Sequence, residues 1–226
     1  MKGEMISFPS NGNTVQGYLA NSAAGSGPGV IVLQEWWGLV GHIKDVADRF
    51  AEEGFTALAP DLYGGESTDD PDTAGKLMMA LNMAETEKVL RGAVGRLLAD
   101  EATSSSKVGI VGFCMGGQLS LYAACVNEKI GACVDYYGIH PNVNPPLENL
   151  NGPMLGFFAE HDAYANAETV NALSEKLRAV NKQHEFTTYP GTNHAFFNND
   201  RPQVYNQNAA EDSWKKMVSF FRANLA

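Results

Sequence analysis

A chain of 226 residues, 44% hydrophobic and 19% charged, has the size of one α/β domain and enough length to bury a sizeable core. Its formal charge of −10, from 26 acidic and 16 basic residues, argues against nucleic acid or an anionic membrane as partner. No run of about 18 apolar residues occurs, and the opening "MKGEMISFPSNGNT" holds no apolar stretch of signal-peptide length, so neither a membrane span nor a leader is expected.

In chain order, "EMISFPS" and "TVQGYLA" alternate around "NGN" and predict an antiparallel hairpin at a sheet edge. "PGVIVLQE" (28–35) is a continuous apolar run, the pattern of a strand covered on both faces. "HIKDVADRFAEEG" then places Ile43, Val46, Ala47 and Phe50 at helical spacing, with Gly54 as the stop. "FTALAPDLYG" reads as a strand, and residues 74–98 as helical, with Val89, Leu90, Ala93, Val94, Leu97 and Leu98 on one face. "KVGIVGFC" is a strand and "MGGQLSLYAAC" the helix after it. Further buried strands, "GACVDYYG" and "GPMLGFFAE", flank the loop "IHPNVNPPLENLN". A helix over 168–180 carries Val170, Leu173, Leu177 and Val180 inward. "HEFTTYPG" is the last strand, and the closing helix buries Trp214, Met217, Val218, Phe221 and Leu225. This alternation predicts one α/β domain over 1–226, a mostly parallel central sheet with helices on both faces and an N-terminal antiparallel hairpin.

Cys114 ends one of these strands and opens a helix, with Gly112 two residues before it and Gly116 two after. This is the G-x-S-x-G nucleophile turn with sulfur in place of oxygen. Glycines suit it because the reversal is sharp and side chains at the flanks would collide with neighbouring elements. The helix N-terminus favours a thiolate and offers the Met115 N–H to a developing oxyanion. The motif alone is equally a packed cysteine in a glycine-rich turn, so partners decide it. Asp162 ends a strand 48 residues on, and His194 follows the last strand after 32 more. Nucleophile, acid, histidine is the chain order of α/β-hydrolases, so His194 is read as base and Asp162 as the acid that fixes its tautomer. His161 and Glu160 are the nearby alternatives, read as a loop residue and a misdirected carboxylate. His42, His140 and His184 are expected on the surface or in loops, and Cys125 and Cys133 in packing. Three cysteines cannot all pair, which fits a reducing, cytoplasmic setting.

With those positions in order, the sequence resembles the dienelactone hydrolase family over nearly its whole length. The likeness rests jointly on "QEWWG" (34–38), "APDLYG" (59–64), "GFCMGG" (112–117), "DYYG" (135–138), "HD" (161–162) and "GTNHAF" (191–196). It implies a triad of Cys114, Asp162 and His194. It also implies that Glu35 lies beside the nucleophile and helps generate the thiolate, and that the Trp36 N–H joins that of Met115 as oxyanion donor. The family holds the substrate carboxylate with two arginines: the one after "PDLY" is missing, since "GGESTDDPDTAGKLMM" offers only Lys76, and for the one after the histidine Arg201 stands seven residues past His194 and could reach in from its loop. Arg201, Tyr63, Tyr205 and Trp37 are the candidate substrate contacts.

The expected activity is hydrolysis of a small-molecule ester or lactone through a thioester, by a monomer or small homo-oligomer. No cofactor is implied. No metal is implied either, since Asp61, Asp69, Asp70 and Asp72 match no calcium loop, and no dinucleotide fingerprint occurs. Ser104 and Ser120 lack the turn that a serine esterase needs. The alternatives are a non-catalytic binding module that retains the fold and a redox-sensing cysteine. An intact Cys, Asp, His and Glu set argues against the first, and the lack of a resolving cysteine in the turn against the second.

Overall fold

A computed structural model describes residues 2–140 and 143–225, so Pro141 and Asn142 of the predicted 139–151 loop lie outside the described residues. The chain opens with β1 (Glu4–Ser10) and β2 (Asn13–Ala20), joined by Asn11 at φ 48° and Gly12 at φ 83°. Positive φ at both central residues is the turn whose twist matches an antiparallel pair, and Asn-Gly is the dipeptide that adopts it most readily. Next come β3 (Gly29–Leu33), α1 (Gly41–Glu52), β4 (Thr56–Pro60), α2 (Pro71–Ala80), α3 (Met83–Leu98) and β5 (Val108–Phe113). The rest is α4 (Met115–Val126), β6 (Ile130–Tyr136), β7 (Met154–His161), α5 (Ala167–Ala179), β8 (His184–Asn193) and α6 (Gln207–Leu225).

The strands form one sheet in the order β1-β2-β4-β3-β5-β6-β7-β8. Among the described strands, β1–β2 and β2–β4 pair antiparallel and the other neighbours pair parallel. The sheet is sandwiched between two apolar layers, and β3 feeds both by strict alternation. Val30 and Val32 pack with Phe50 of α1 and with Met217 and Phe221 of α6. Ile31 and Leu33 point the other way, toward Leu90 and Val94 of α3, Leu119 of α4 and Leu177 of α5.

Two expectations are corrected. Residues 74–98 are two helices, because Asn82 accepts the Ala84 and Glu85 N–H groups at 2.9 and 3.2 Å and so caps a new helix start. His42 is neither on the surface nor in a loop. It sits on the apolar face of α1 at 1% exposure, edge-on to Phe113 and Phe197, with Nδ1 bonded to Asn199 Oδ1 at 3.0 Å. His184 likewise opens β8, bonded to Ser174 and to the Lys182 carbonyl. The acidic run has local structural work. Asp61 closes its loop by accepting the Tyr63 and Gly65 N–H groups, and Asp70 caps α2 by accepting that of Thr73.

Candidate active site

Parallel strands deliver their carboxyl ends to one edge, and the predicted site residues lie along it. β5 stops at Phe113, and Cys114 takes φ 55° and ψ −118°, a region that costs a non-glycine residue on the order of 1–3 kcal/mol. The surroundings hold it there. Its N–H donates to the Tyr136 carbonyl at 3.0 Å, and its carbonyl accepts the Gly117 N–H at 3.0 Å. A Cβ on Gly116 would stand 2.5 Å from the Gln34 oxygen and 2.7 Å from that of Leu33, so α4 can approach β3 this closely only with glycine there. Cys114 is half-buried at the N-terminus of α4. Cys125 and Cys133 are buried, and burial pushes the Cys125 thiol up to about 12 and that of Cys133 further.

His194 Nδ1 is 2.7 Å from Asp162 Oδ2, and Asp162 Oδ1 accepts the Tyr164 and Ala165 N–H groups at 2.8 and 3.0 Å. With both oxygens committed, the carboxylate holds the imidazole in one orientation. Burial disfavours the charge on His194, but the Asp162 carboxylate and the Cys114 sulfur outweigh it and raise the imidazole to about 10. Burial likewise opposes ionised Asp162, and the His194 contact with the two backbone donors brings its pKa below the usual value.

Glu35 follows β3 at 1% exposure. Its Oε2 accepts from Asn198 Nδ2 at 2.6 Å, while Oε1 is buried without a hydrogen-bond partner. The Tyr137 hydroxyl, also buried, has no partner of good geometry among the described residues, though Glu35 is its hydrogen-bonding neighbour. Burial above all, then the Glu35 and Cys114 charges, push that phenol well up. The Tyr137 ring packs 5.0 Å from that of His194. Trp36 begins the turn after Glu35 and meets Trp37 edge-on at 4.9 Å, and the Arg201 guanidinium lies 4.5 Å over Trp37. Arg201 makes no ion pair among the described residues.

These groups open into one cavity of ≈ 800 Å³, whose wall includes Glu35, Trp36, Trp37, Cys114, Met115, Tyr137, His194 and Arg201. Tyr63 and Tyr205 are not part of that wall. Tyr63 instead bonds the Met115 sulfur at 3.4 Å from behind, and Tyr205 packs against the core in the turn after Arg201. His161 and Glu160 are exposed at the end of β7, and Glu160 accepts the Gly191 N–H at 2.7 Å. Sequence reasoning missed Tyr137 and Asn198. The first stands in the quoted "DYYG", and the second is the fourth residue after His194, so both were within already marked segments.

The model of the dienelactone hydrolase family matches residues 15–225. "Protein usf" of Aquifex pyrophilus is 40% identical over 230 residues, spanning 99% of each chain. A "Putative carboxymethylenebutenolidase" of Aquifex aeolicus is 36% identical over the same share of both. The crystal structure of a "Putative Dienelactone Hydrolase" from Klebsiella pneumoniae superposes with a TM-score of 0.88 at 31% identity, covering 97% of this chain and 98% of that one.

Proposed function

The chain belongs to the dienelactone hydrolase family, with the α/β-hydrolase fold, and from that premise we propose that it hydrolyses carboxylic esters or lactones through a thioester on Cys114. The observation that carries this reading is the Asp162–His194 pair, 2.7 Å long, beside a cysteine in a strained strand-to-helix turn inside the cavity.

The proposed nucleophile is the Cys114 thiolate, with its proton on His194, the imidazole that the Asp162 carboxylate holds in place. The thiolate attacks the substrate carbonyl, and the oxygen's new charge falls to the Trp36 and Met115 N–H groups. Among the described residues neither N–H bonds a backbone carbonyl, so both are free for that oxygen. Imidazolium His194 gives its proton to the leaving oxygen, and the C–O bond breaks to leave the acyl group on sulfur. Acylation also removes the sulfur's negative charge, one of the two influences that raised His194. The imidazole's pKa therefore falls at the step where it must accept a proton from water, and the thioester is hydrolysed. Glu35, buried beside the cavity with one oxygen held by Asn198, is placed to help generate the thiolate once substrate arrives. Arg201, over the Trp37 ring and without an ion pair among the described residues, is placed to take a substrate carboxylate or carbonyl oxygen. A thiolate is itself a good leaving group, so enol esters and other activated esters should turn over faster than simple alkyl ones.

The reading needs no metal or cofactor and one domain, as a monomer or small homo-oligomer. Among the described residues no helix is long and apolar enough to cross a membrane, and all three cysteines are free thiols, which favours a reducing cytoplasmic setting. The test is acid quenching during turnover of p-nitrophenyl acetate, followed by mass spectrometry. An acetyl adduct is expected on the peptide carrying Cys114. Sustained turnover by Cys114→Ala, with no such adduct in the wild type, would overturn the mechanism.

A further inference from the structure

The cavity is much larger than its reactive end requires. Its ≈ 800 Å³ lies near the top of the range of about 300–1,000 Å³ for small-molecule sites, and a ligand normally fills most of such a site. Besides Cys114, its wall includes Trp36, Trp37 and Arg201, and it also takes in residues of the loop after β6 and of α5.

The lobe lined by that loop and α5 is largely apolar, with Asn144, Asn166, Thr169 and Lys176 as polar members. Thr169, Ala172, Leu173 and Lys176 line it, with spacings of three, one and three residues, which put them on a single helical face. Leu173 from this face lines the same cavity as Ile139, Val143 and Leu147 from the loop. Two described residues of the loop are tied to α4. Gln118 of α4 accepts the His140 N–H at 2.8 Å and donates to the Val143 carbonyl at 3.4 Å. The lining face runs over eight residues, seven steps or about 10 Å at 1.5 Å rise, which matches an extended chain of about eight carbons. It ends at Lys176, an exposed ammonium with no ion pair among the described residues.

We infer that this lobe is an acyl-chain subsite, and that the chain's preferred substrates are esters of medium-length apolar carboxylic acids rather than compact lactones alone. The inference rests on the proposed ester hydrolysis at Cys114. The acyl group, rather than the alcohol, belongs here because it stays on sulfur through both half-reactions while the alcohol must leave to solvent. A walled apolar lobe suits the part that remains. Removing a methylene from water favours binding by about 0.8 kcal/mol, close to fourfold per carbon.

The experiment measures kcat/KM for p-nitrophenyl acetate, butyrate, hexanoate and octanoate below their aggregation limits, with wild type, Leu173→Trp and Ala172→Trp. The wild-type octanoate-to-acetate ratio should exceed about 100, and a tryptophan at either position should cut that ratio by at least about tenfold. Ala172 is exposed, so its variant serves if Leu173→Trp fails to fold. A flat or falling wild-type series would overturn the inference, as would a ratio unmoved by either tryptophan. In both cases ester hydrolysis at Cys114 would still stand. If no ester in the series is turned over, the hydrolase reading fails first and carries the subsite with it.

Discussion

Two adjacent turns at the carboxyl edge of the sheet are built alike and used differently. After β5, Cys114 sits at φ 55°, and after the neighbouring β6, Tyr137 sits at φ 43°. Each is a bulky residue in backbone space that favours glycine, and each turn helps hold the other. The Cys114 N–H donates to the Tyr136 carbonyl, and a Cβ on Gly138 would stand 2.5 Å from the Cys114 carbonyl oxygen. The second turn is further tied by the Tyr137 N–H to Phe157 at 2.8 Å and by Asp135 Oδ1, which accepts the Gly138 N–H at 2.8 Å. The first turn leaves its side chain half-buried in the cavity, whereas Tyr137 is 1% exposed with its ring against His194. Strain thus presents a reactive atom in one turn, and in the other builds the wall that fixes it.

The division is broken most directly at the reactive turn. Cys114→Ala should lower kcat for an activated ester by on the order of 10⁶-fold, to the level of the oxyanion donors alone, while far-UV circular dichroism stays unchanged. Residual turnover near wild type would mean that the strained cysteine presents nothing. Asp162→Asn is the next largest. The amide oxygen can still accept the Tyr164 and Ala165 N–H groups, but its NH₂ would face Nδ1 and select the wrong tautomer of His194. A loss of about 10³–10⁴-fold in kcat is expected, with binding of unreactive ester analogues retained.

The two turns also differed in how far the sequence revealed them. Gly112, Cys114 and Gly116 form a pattern whose spacing encodes a local geometry, and Asp162 and His194 stand at strand ends that apolar runs make visible. Their meeting is the expected consequence of parallel strands sharing one edge. The β6 turn carries no comparable local signal, because Tyr137 is placed by Phe157 and His194, which come from distant segments. Asn198 is similar. It matters through Glu35, 163 residues away, and no spacing rule links them. His42 was misread because polarity was weighed above position, although it falls on the same face of α1 as Val46. The break near Asn82 was hidden by the apolar Leu81 and Met83 on either side.

A change in the second turn should act mainly on stability. Asp135 is fully buried beneath the start of α4, and burial raises its pKa well above the usual carboxylate value, only partly opposed by the Gly138 N–H and by His194. The folded state therefore binds this proton more tightly than the unfolded chain does. Stability must then fall as pH rises from the unfolded value of about 4 toward the folded one. A side-chain amide in place of this carboxyl has no such proton to lose and keeps an oxygen for the Gly138 N–H. Asp135→Asn should match wild type in urea denaturation near pH 3.5 and exceed it by about 1–3 kcal/mol at pH 7.5. A constant difference across that range would remove the buried carboxyl from the account of this turn.

The smallest effect asks whether the wall is only a wall. Tyr137 keeps its proton at any ordinary pH, since burial and the nearby Glu35 and Cys114 charges all disfavour the phenolate. Among the described residues its neutral hydroxyl and Glu35 Oε1 make no hydrogen bond of good geometry, although Glu35 is the hydrogen-bonding neighbour that helps the phenol keep its proton. An unmade hydrogen bond costs the group its lost hydration, so Tyr137→Phe removes that penalty at the expense of one small void. The ring, its contact with His194 and the φ 43° backbone all remain. A gain of about 0.5–1 kcal/mol is expected, seen in calorimetry as a Tm higher by about 1–4 °C. A lower Tm would mean that the hydroxyl is bonded in solution, with Glu35 its nearest acceptor. The second turn would then belong to the same proton network as the first, and the contrast between presenting and supporting would give way to one continuous polar site.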